Sequence, residues 1–467
     1  MHSTVEKLIL GWLVVVATAW ACDSPLVHRT DGGSDILTPD VPDAADVSDR
    51  SDDMDVIDAG ADADADADTE WWGPDPDERR IPCPGAGGGW LGGMTAVYPY
   101  IIWAEGYWVD NGHTSRILAL NVETNTVVQW GEIRKRVSGQ KLVYHEPSQS
   151  VYFLGDESEE IPDWPFYRTI VFLYKLIPAS QSMEEIQLEH DLYSPGCAAY
   201  GKSKTTLHRI DPISGWLLLS CQYILESNSS WIIKDVYRKN IFSGEVQPLV
   251  EGFRETPIVY SFLADVSLQH FTLNINGVDE RGQNEPPYVF SSWDVSGEVA
   301  EETFRLEVPY QQMAFGLYGS EESLLYYSEL GSSGRLEGRI MDQVTGLVTP
   351  FPAFSRHVYL PARLHESQSP VVSWMRAEGD INYWSDGSLT PANYSVGIYL
   401  WDPDNGRIRK VTGEPYAYGF PMLMHDQPEP RYMVYLMRIS QNDLCIAYKD
   451  MIAAGILDET GHLLPEP

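Results

Sequence analysis

A strand–turn–strand pattern that returns about every 50 residues constrains the fold of this chain more than any other feature. From about Trp90 onward, short apolar or alternating runs flank turns rich in Gly and polar residues, and no long stretch has the 3.6-residue period of a helix. ILALNVETNTVVQW and IYLWDPDNGRIRKV belong to this first series, and IAYKDMIAAGILDE is its weakest member. The turns of the series, 49 to 63 residues apart, centre on Asn125, Gln181, Gly244, Gly297, Gly346, Gly406 and Gly455.

A second series of strand pairs lies between the members of the first and includes LVYHEPSQSVYFLG, LHRIDPISGWLLLSC and LHESQSPVVSWM. Two strand pairs per repeat make a four-stranded sheet, and repeats of about 50 residues built only from strands are typical of β-propellers, with one sheet per blade. The sequence therefore predicts an all-β fold with a β-propeller over residues 81–467. Seven turns favour seven blades, and the weak last turn leaves six blades open.

The turns of the second series resemble those of TolB-like and, more loosely, WD40-like propellers. Blades of the TolB-like family carry a turn of the type P-x-W-S-P-D-G before an apolar strand, and this chain has HEPSQSVYF, DPISGWLLL and HESQSPVVSW in the corresponding places. The Asp-Gly pair is missing throughout. The resemblance extends over roughly residues 90–460 and implies an architecture without a particular activity.

The first 22 residues resemble an export signal with an attachment point. Leu8–Ala21 is a 14-residue apolar run, shorter than the about 20 residues of a membrane span and within the length of a secretory signal core. It ends in Ala19-Trp20-Ala21-Cys22, which resembles a bacterial lipobox, although a lipobox usually has Leu, Val or Ile at the first of these places and a small residue at the second. We expect a signal peptide over residues 1–21 and a lipid anchor on Cys22. Ordinary signal cleavage after the A-x-A pattern is the alternative.

Residues 22–80 have the composition of a disordered linker. Residues 23–70 carry 16 Asp or Glu against Arg29 and Arg50, in stretches such as GADADADADTE. Few apolar groups and many like charges do not offset the entropy lost on ordering. The alternating Asp residues lack the EF-hand pattern, because no Gly follows the third Asp and Gly73 stands at the twelfth position, where a Glu is needed. We therefore expect a solvated spacer.

The formal net charge of −36 excludes some partners. Phosphate recognition needs clustered Lys and Arg, so we expect no nucleic-acid binding. An anionic membrane surface would repel the chain for the same reason.

The cysteines other than Cys22 are even in number, which suits disulfides in an oxidising compartment. We favour the pairs Cys83–Cys445 and Cys197–Cys221. Cys83 precedes the first blade and Cys445 lies in the last, so this pair would close the ring, and Cys197 and Cys221 bracket a strand pair. Buried free thiols are the alternative.

Four histidines occupy similar places in the second series, each a few residues before an apolar strand: His145, His208, His365 and His425. Imidazoles that converge on the axis of a propeller could bind a transition metal, as in propeller lyases that act on acidic sugars. The competing interpretation is that each histidine caps its own turn. Trp103, Tyr107 and Trp108 are a further candidate group that could stack on sugars, with packing between blades as the commoner use of such residues.

The sequence contains no G-x-S-x-G, H-E-x-x-H, P-loop or paired C-x-x-C motif. We therefore expect a non-catalytic, monomeric propeller that binds a protein or glycan of the bacterial cell envelope, with no cofactor assigned. It would be held to a membrane by its lipid anchor, at the outer membrane or cell surface, or else be periplasmic or secreted. The alternative function is a metal-dependent carbohydrate lyase or hydrolase that uses the four histidines.

Overall fold

The computed structural model describes 21 segments between residues 78 and 466. They are residues 78–81, 90–109, 112–137, 142–160, 167–192, 203–224, 231–250, 258–264, 270–278, 284–294, 296–297, 299–308, 314–321, 324–330, 336–342, 344–350, 358–365, 369–378, 395–412, 417–438 and 444–466. Within these segments the regular structure consists of strands and two single-turn 3₁₀ helices, Glu146–Ser148 and Pro178–Ser180. No helix in them is long and apolar enough to cross a membrane. The predicted signal peptide, Cys22 and residues 23–77 of the linker lie outside the described residues.

The strands form six sheets, which we number in chain order. The first sheet contains β2 (Trp90–Val97), β3 (Tyr100–Val109), β4 (Gly112–Asn121) and β5 (Thr126–Ile133). The second sheet contains β6 (Val143–His145), β7 (Ser150–Glu160), β8 (Tyr167–Ile177) and β9 (Ser182–Ile186). The third sheet contains β10 (Ser203–Asp211), β11 (Trp216–Ile224), β12 (Trp231–Asn240) and β13 (Val246–Val250).

The fourth sheet contains β14 (Ile258–Ala264), β15 (His270–Val278), β16 (Asn284–Asp294) and β17 (Glu301–Val308). The fifth sheet contains β18 (Ala314–Glu321), β19 (Leu324–Leu330), β20 (Leu336–Asp342) and β21 (Val348–Pro350). The sixth sheet has eight strands. Its first half contains β22 (Val358–His365), β23 (Ser369–Glu378), β24 (Ser395–Trp401) and β25 (Ile408–Lys410). Its second half contains β26 (Ala417–Leu423), β27 (Tyr432–Arg438), β28 (Leu444–Asp450) and β1 (Glu78–Arg80).

The two halves of the sixth sheet meet at one parallel bridge, Val396 to Ala417. The first six groups of four strands are up-and-down antiparallel meanders, and in the last group β1 pairs with β28 in the place of a fourth strand. The first strands of successive groups contact one another, except that β14 contacts β12 of the third sheet. This arrangement is a β-propeller, as the sequence predicts. The count of seven blades treats the two halves of the sixth sheet as separate blades and stays a prediction.

Both predicted series of turns fall where a propeller repeat requires them. Apart from its last turn, at Gly455, the first series connects the third and fourth strands of each group, and the second series connects the first and second strands. In the first series, except at Gln181, an Asn or Asp at the end of the third strand begins the turn, and the Oδ1 atoms of Asn121 and Asp342 each accept two backbone N–H groups. The fifth residue of the turn then takes a left-handed conformation, with φ of 56° at Asn125 and 69° at Gly346. These turns could be predicted from the sequence because their hydrogen bonds join residues only two or three positions apart.

The core consists of apolar layers between neighbouring sheets. Side chains alternate along β3, so Ile102 packs with Phe153 of the second sheet, whereas Trp103 packs with Val434 of β27. Trp103 is 3% exposed and is therefore a packing residue, not a ligand contact. Fully burying a large apolar side chain contributes about 1.5–3 kcal/mol to folding.

Strand β1 completes the sheet formed by the end of the chain. Glu78 lies opposite Lys449 of β28, and the N–H of Ile81 donates to the Ile446 carbonyl at 2.9 Å. Strand β1 thus takes up the last three residues of the predicted linker, and the boundary between linker and propeller stays a prediction. The expected second strand of IAYKDMIAAGILDE is wrong, because β1 takes the fourth-strand position and ILDE is not a strand.

Glu78, the first residue of β1, is fully buried where β1 pairs with β28. Its Oε2 accepts the Tyr435 hydroxyl at 2.6 Å, and its Oε1 accepts Arg80 Nε at 3.3 Å. A buried carboxylate is tolerated when such donors replace water. The first described strand is thus bonded through a side chain, as well as through its backbone, to a strand 357 residues later.

The C-terminal segment, residues 451–466, does not add a strand but packs on the first half of the sixth sheet. The Ser369 hydroxyl donates to the Gly461 carbonyl at 2.7 Å, and Arg407 donates to the Leu463 carbonyl at 2.7 Å. Leu457 and Leu463 form an antiparallel bridge and are both fully buried. The two ends of the described chain therefore secure the two halves of one sheet.

Replacing Tyr435 by Phe removes a donor from the buried Glu78 carboxylate and keeps the aromatic ring. We expect Tyr435→Phe to lower the free energy of unfolding by about 1–3 kcal/mol, because a buried acceptor is left without its bond. Tyr107→Phe is the control, since it removes an exposed bond to Glu132 and should change stability by less than about 0.5 kcal/mol. Urea unfolding measures both, and equal losses would contradict a special role for the buried bond.

Candidate functional site

His145 is the last residue of β6, and its buried ring caps the turn that follows. Its Nδ1 accepts the N–H of Ser148 at 3.2 Å and lies 2.8 Å from the hydroxyl of the same residue. Burial lowers the pKa of His145, and the opposite effect of Asp211 in the third sheet is smaller. The ring of His145 therefore caps its own turn, which is the alternative to a metal site.

His208 is buried within the third sheet. Its Nε2 lies 2.7 Å from the Ser220 hydroxyl on the neighbouring strand β11. The pairing of β10 with β11 is irregular between Leu207 and Arg209, which places His208 at a shift in register. His208 is thus bonded within its own sheet, as His145 is within its own turn.

His425 follows β26 and joins the last sheet to the first. Its N–H donates to the Ala96 carbonyl at 2.9 Å, and its carbonyl accepts the N–H of Tyr98 at 2.8 Å. Its ring lies 5.1 Å from the ring of Tyr144, whose hydroxyl donates to the carboxylate of Asp426. Tyr144 belongs to the second sheet, so this contact joins sheets on either side of the first sheet.

Burial dominates the electrostatics of this contact. It lowers the pKa of His425 to about 4 and raises the pKa of Asp426. Asp426 also has a left-handed backbone, with φ of 55°. The imidazole of His425 is neutral at pH 7 and packs against an aromatic ring, which is a structural use of the side chain.

His365 ends β22, at the same place in its group of strands, and its side chain lies outside the described residues. The placement of the four histidines near the ends of first strands agrees with the sequence interpretation. A metal site that they share stays a prediction. Among the described side chains, the one group of three potential metal ligands within 4.8 Å of one another is Asp402, Asp404 and His462, which includes none of the four.

The carboxylate of Asp402 accepts hydrogen bonds that hold the C-terminal segment. Its Oδ2 accepts bonds from His462 Nδ1 at 3.0 Å, the Leu463 N–H at 3.0 Å and Asn405 Nδ2 at 2.7 Å. Its Oδ1 accepts the N–H of Asp404 at 3.0 Å. These bonds fasten the C-terminal segment to the turn between β24 and β25. Sequence reasoning missed this group because His462 and Asp402 are 60 residues apart and share no motif.

An aromatic stack lies at the far end of β3, on the edge of the first sheet opposite the turns described above. We define it as Trp90, His113 and Trp108. The rings of Trp108 and His113 are 3.7 Å apart, and Trp90 meets His113 edge-on at 5.4 Å. Trp108 is 60% exposed. A Cβ atom at Gly106 would lie 2.2 Å from the indole of Trp90, so only glycine permits this packing.

The stack is fixed at its buried end and open at the other. Trp90 Nε1 donates to the Val137 carbonyl at 3.1 Å, which orients the inner indole. Burial between the two indoles lowers the pKa of His113. The exposed face of Trp108 is therefore presented on a rigid base.

Tyr107 points to the opposite side of the same strand. Its hydroxyl accepts Arg116 Nε at 2.8 Å and donates to Glu132 at 3.0 Å. The Arg116 guanidinium also lies 4.6 Å from the centre of the Tyr107 ring. Of the three aromatics that the sequence singled out, Trp103 is core, Tyr107 is engaged by charged neighbours, and Trp108 is accessible.

Two of the predicted disulfide residues, Cys221 and Cys445, are fully buried. Cys83 and Cys197 lie outside the described residues, so the pairing stays a prediction. The bond from Ile81 to Ile446 brings the chain, two residues before Cys83, beside the neighbour of Cys445.

No family model matches the chain, and no curated protein matches it. Solved structures do resemble it. The propeller domain of the trilobed protease from Pyrococcus furiosus is 12% identical, with a TM-score of 0.46, and the alignment covers 81% of this chain and 98% of that one. The acylaminoacyl peptidase of Pyrococcus horikoshii is 11% identical, with a TM-score of 0.45, over 76% of this chain and 50% of the peptidase.

Oligogalacturonate lyase from Vibrio parahaemolyticus is 10% identical, with a TM-score of 0.47, over 76% of this chain and 89% of the lyase. The chain thus spans only half the length of the peptidase but most of the other two chains. At such low identity these similarities concern the fold alone and transfer no activity.

The buried, neutral His425 makes stability depend on pH. Its pKa of about 4 in the folded chain lies below the ordinary value of 6.5, so its contribution is fully present above pH 6.5 and is lost as the pH falls through 4. The full loss corresponds to about 3 kcal/mol. His425→Phe keeps an aromatic ring but cannot ionise, so its stability should fall less between pH 6.5 and 4 in urea unfolding. Parallel curves for both proteins would contradict this assignment.

Proposed function

We propose that this chain is an exported, lipid-anchored protein of the bacterial cell envelope whose β-propeller binds a glycan without catalysis. The observation that carries the binding role is the aromatic stack with its exposed Trp108. The described histidines that suggested a metal-dependent enzyme, His145, His208 and His425, instead have partners in turns, strands and packing. The lyase or hydrolase alternative has no comparable support among the described residues.

Trp108 has the properties of a sugar platform. Its indole is 60% exposed and supported from behind by His113, so its orientation is set before a ligand arrives. A rigid, preorganised aromatic face loses little entropy on binding, and its apolar surface suits the C–H face of a pyranose ring. A protein partner is the other class of ligand that an exposed Trp could anchor.

Glycan binding is tested with an array of bacterial envelope oligosaccharides, followed by calorimetry on the best ligand. We expect Trp108→Ala to weaken binding at least tenfold, which corresponds to about 1.4 kcal/mol. Val109→Ala is the matched control, because Val109 is the next residue, is 44% exposed and points to the other side of the strand. Equal affinities of the wild type and Trp108→Ala, or no glycan bound at all, would refute the glycan proposal.

The lipid anchor rests on Cys22 and the preceding apolar run. A lipidated cysteine needs no membrane-spanning helix, because each buried methylene of an acyl chain contributes about 0.8 kcal/mol. The expected result is incorporation of radiolabelled palmitate into the wild type in the bacterial host and none into Cys22→Ala. A wild type without label would rule out the anchor and would favour ordinary secretion.

A further inference from the structure

Five exposed apolar residues stand at turns along one edge of three consecutive sheets. We define them as the apolar tips: Ile213, Phe242, Val299, Val344 and Leu347. Their exposed fractions run from 61% for Phe242 to 83% for Val344. Half of the ten large hydrophobic residues that are exposed in the described part of the chain are therefore in these turns.

The tips lie on one face because of how the strands run. In an antiparallel meander the first and third strands end at the same edge. Ile213 follows β10, and the other tips follow third strands of the third, fourth and fifth sheets. Contacts confirm the shared edge: the N–H of Ile241 donates to the Gly215 carbonyl at 2.9 Å, and Arg238 donates to the Gly297 carbonyl at 3.0 Å in the next sheet.

The turn geometry does not require apolar residues at these places. In each Asx turn, the residue two after the Asn or Asp donates its N–H to that side chain and faces outward. This residue is Glu123 in the first sheet and Asp404 in the sixth. It is Ile213, Phe242 and Val344 in the turns of the third and fifth sheets, whereas in the fourth sheet it is Ser296 and the tip Val299 follows three residues later. The apolar choice therefore needs a reason outside the turn.

The chain enters the fold at the same face. Glu78, the first residue of β1, pairs with Lys449, which directly precedes the turn at Asp450. This turn ends the third strand of its group, so it belongs to the edge that carries the apolar tips. The 55 residues from 23 to 77 connect Cys22 to this point.

We propose that the face carrying the apolar tips rests on the neutral lipid surface to which Cys22 is anchored. This inference rests on the proposed lipid anchor for its membrane partner. Apolar side chains that project singly from turns can enter the boundary between headgroups and acyl chains. A net charge of −36 selects a zwitterionic surface over an anionic one. The aromatic stack, on the opposite edge, then faces away from the membrane.

The test measures sedimentation with vesicles and does not depend on lipidation. The protein starts at residue 22 and carries Cys22→Ala, which leaves every described strand intact because the first begins at Glu78. We expect it to sediment with phosphatidylcholine vesicles and much less with phosphatidylglycerol vesicles. The added changes Ile213→Ser, Phe242→Ser and Val344→Ser should reduce the bound fraction at least fivefold.

The control carries Val109→Ser, which removes an exposed apolar side chain at the end of β3, on the opposite edge of the first sheet, and it should bind like the protein that carries Cys22→Ala alone, which we call the parent. Thermal unfolding confirms that each variant is folded. No binding by the parent, or an equal loss in the tip variant and the Val109→Ser control, would overturn the proposal. The proposal would also be overturned if the parent self-associates in solution and the tip variant alone does not. The face would then bind a second copy of the chain.

Failure of the anchor is a separate result. If the wild type carries no palmitate but the parent binds phosphatidylcholine through the tips, the tips are a membrane surface and the anchor alone is refuted. If palmitate is incorporated but the tips do not affect vesicle binding, this inference alone is refuted.

Discussion

The pairing of β1 with β28 is the contact on which the closure of this propeller depends. Strand β1 consists of three residues that precede the first sheet in the sequence. It pairs with the outer edge of β28, which lies almost at the other end of the chain. Without β1, the edge of β28 would expose unpaired N–H and C=O groups. The Glu78 carboxylate makes the register specific, because a shift by one residue would turn it away from Tyr435. Closure therefore depends on a side chain as well as on the ladder.

The turns could be predicted from sequence because their chemistry is local. An Asx residue followed four positions later by Gly or Asn specifies both the hydrogen bonds and the left-handed residue, as at Asp342 and Gly346. Strand β1 could not be found this way. Its sequence ERR is short, polar and far from its partner, so neither period nor turn signal marks it. The core position of Trp103 and the exposure of Trp108 likewise depend on neighbouring sheets.

The histidines show the same limit for function. The repeat places the four histidines in or near the first strands of their groups, but a different partner sets the role of each described ring. Ser148 holds His145, Ser220 holds His208, and Tyr144 packs on His425. A shared position in a repeat places backbones equivalently, whereas side chains follow their local surroundings.

The backbone is held differently at the edge of the Asx turns and at the opposite edge, which carries the aromatic stack. Along the edge of the Asx turns, tight hairpins fix the backbone, so the outward residue is free to vary between Glu123 and Val344 without altering the turn. At the opposite edge, Trp108 is held by two further rings and by the glycine that admits Trp90. Rigidity thus comes from backbone bonds on one edge and from aromatic packing on the other. Because the bonds of these turns do not involve the outward side chain, charged Glu123 and apolar Val344 occupy equivalent positions in two turns of the same geometry.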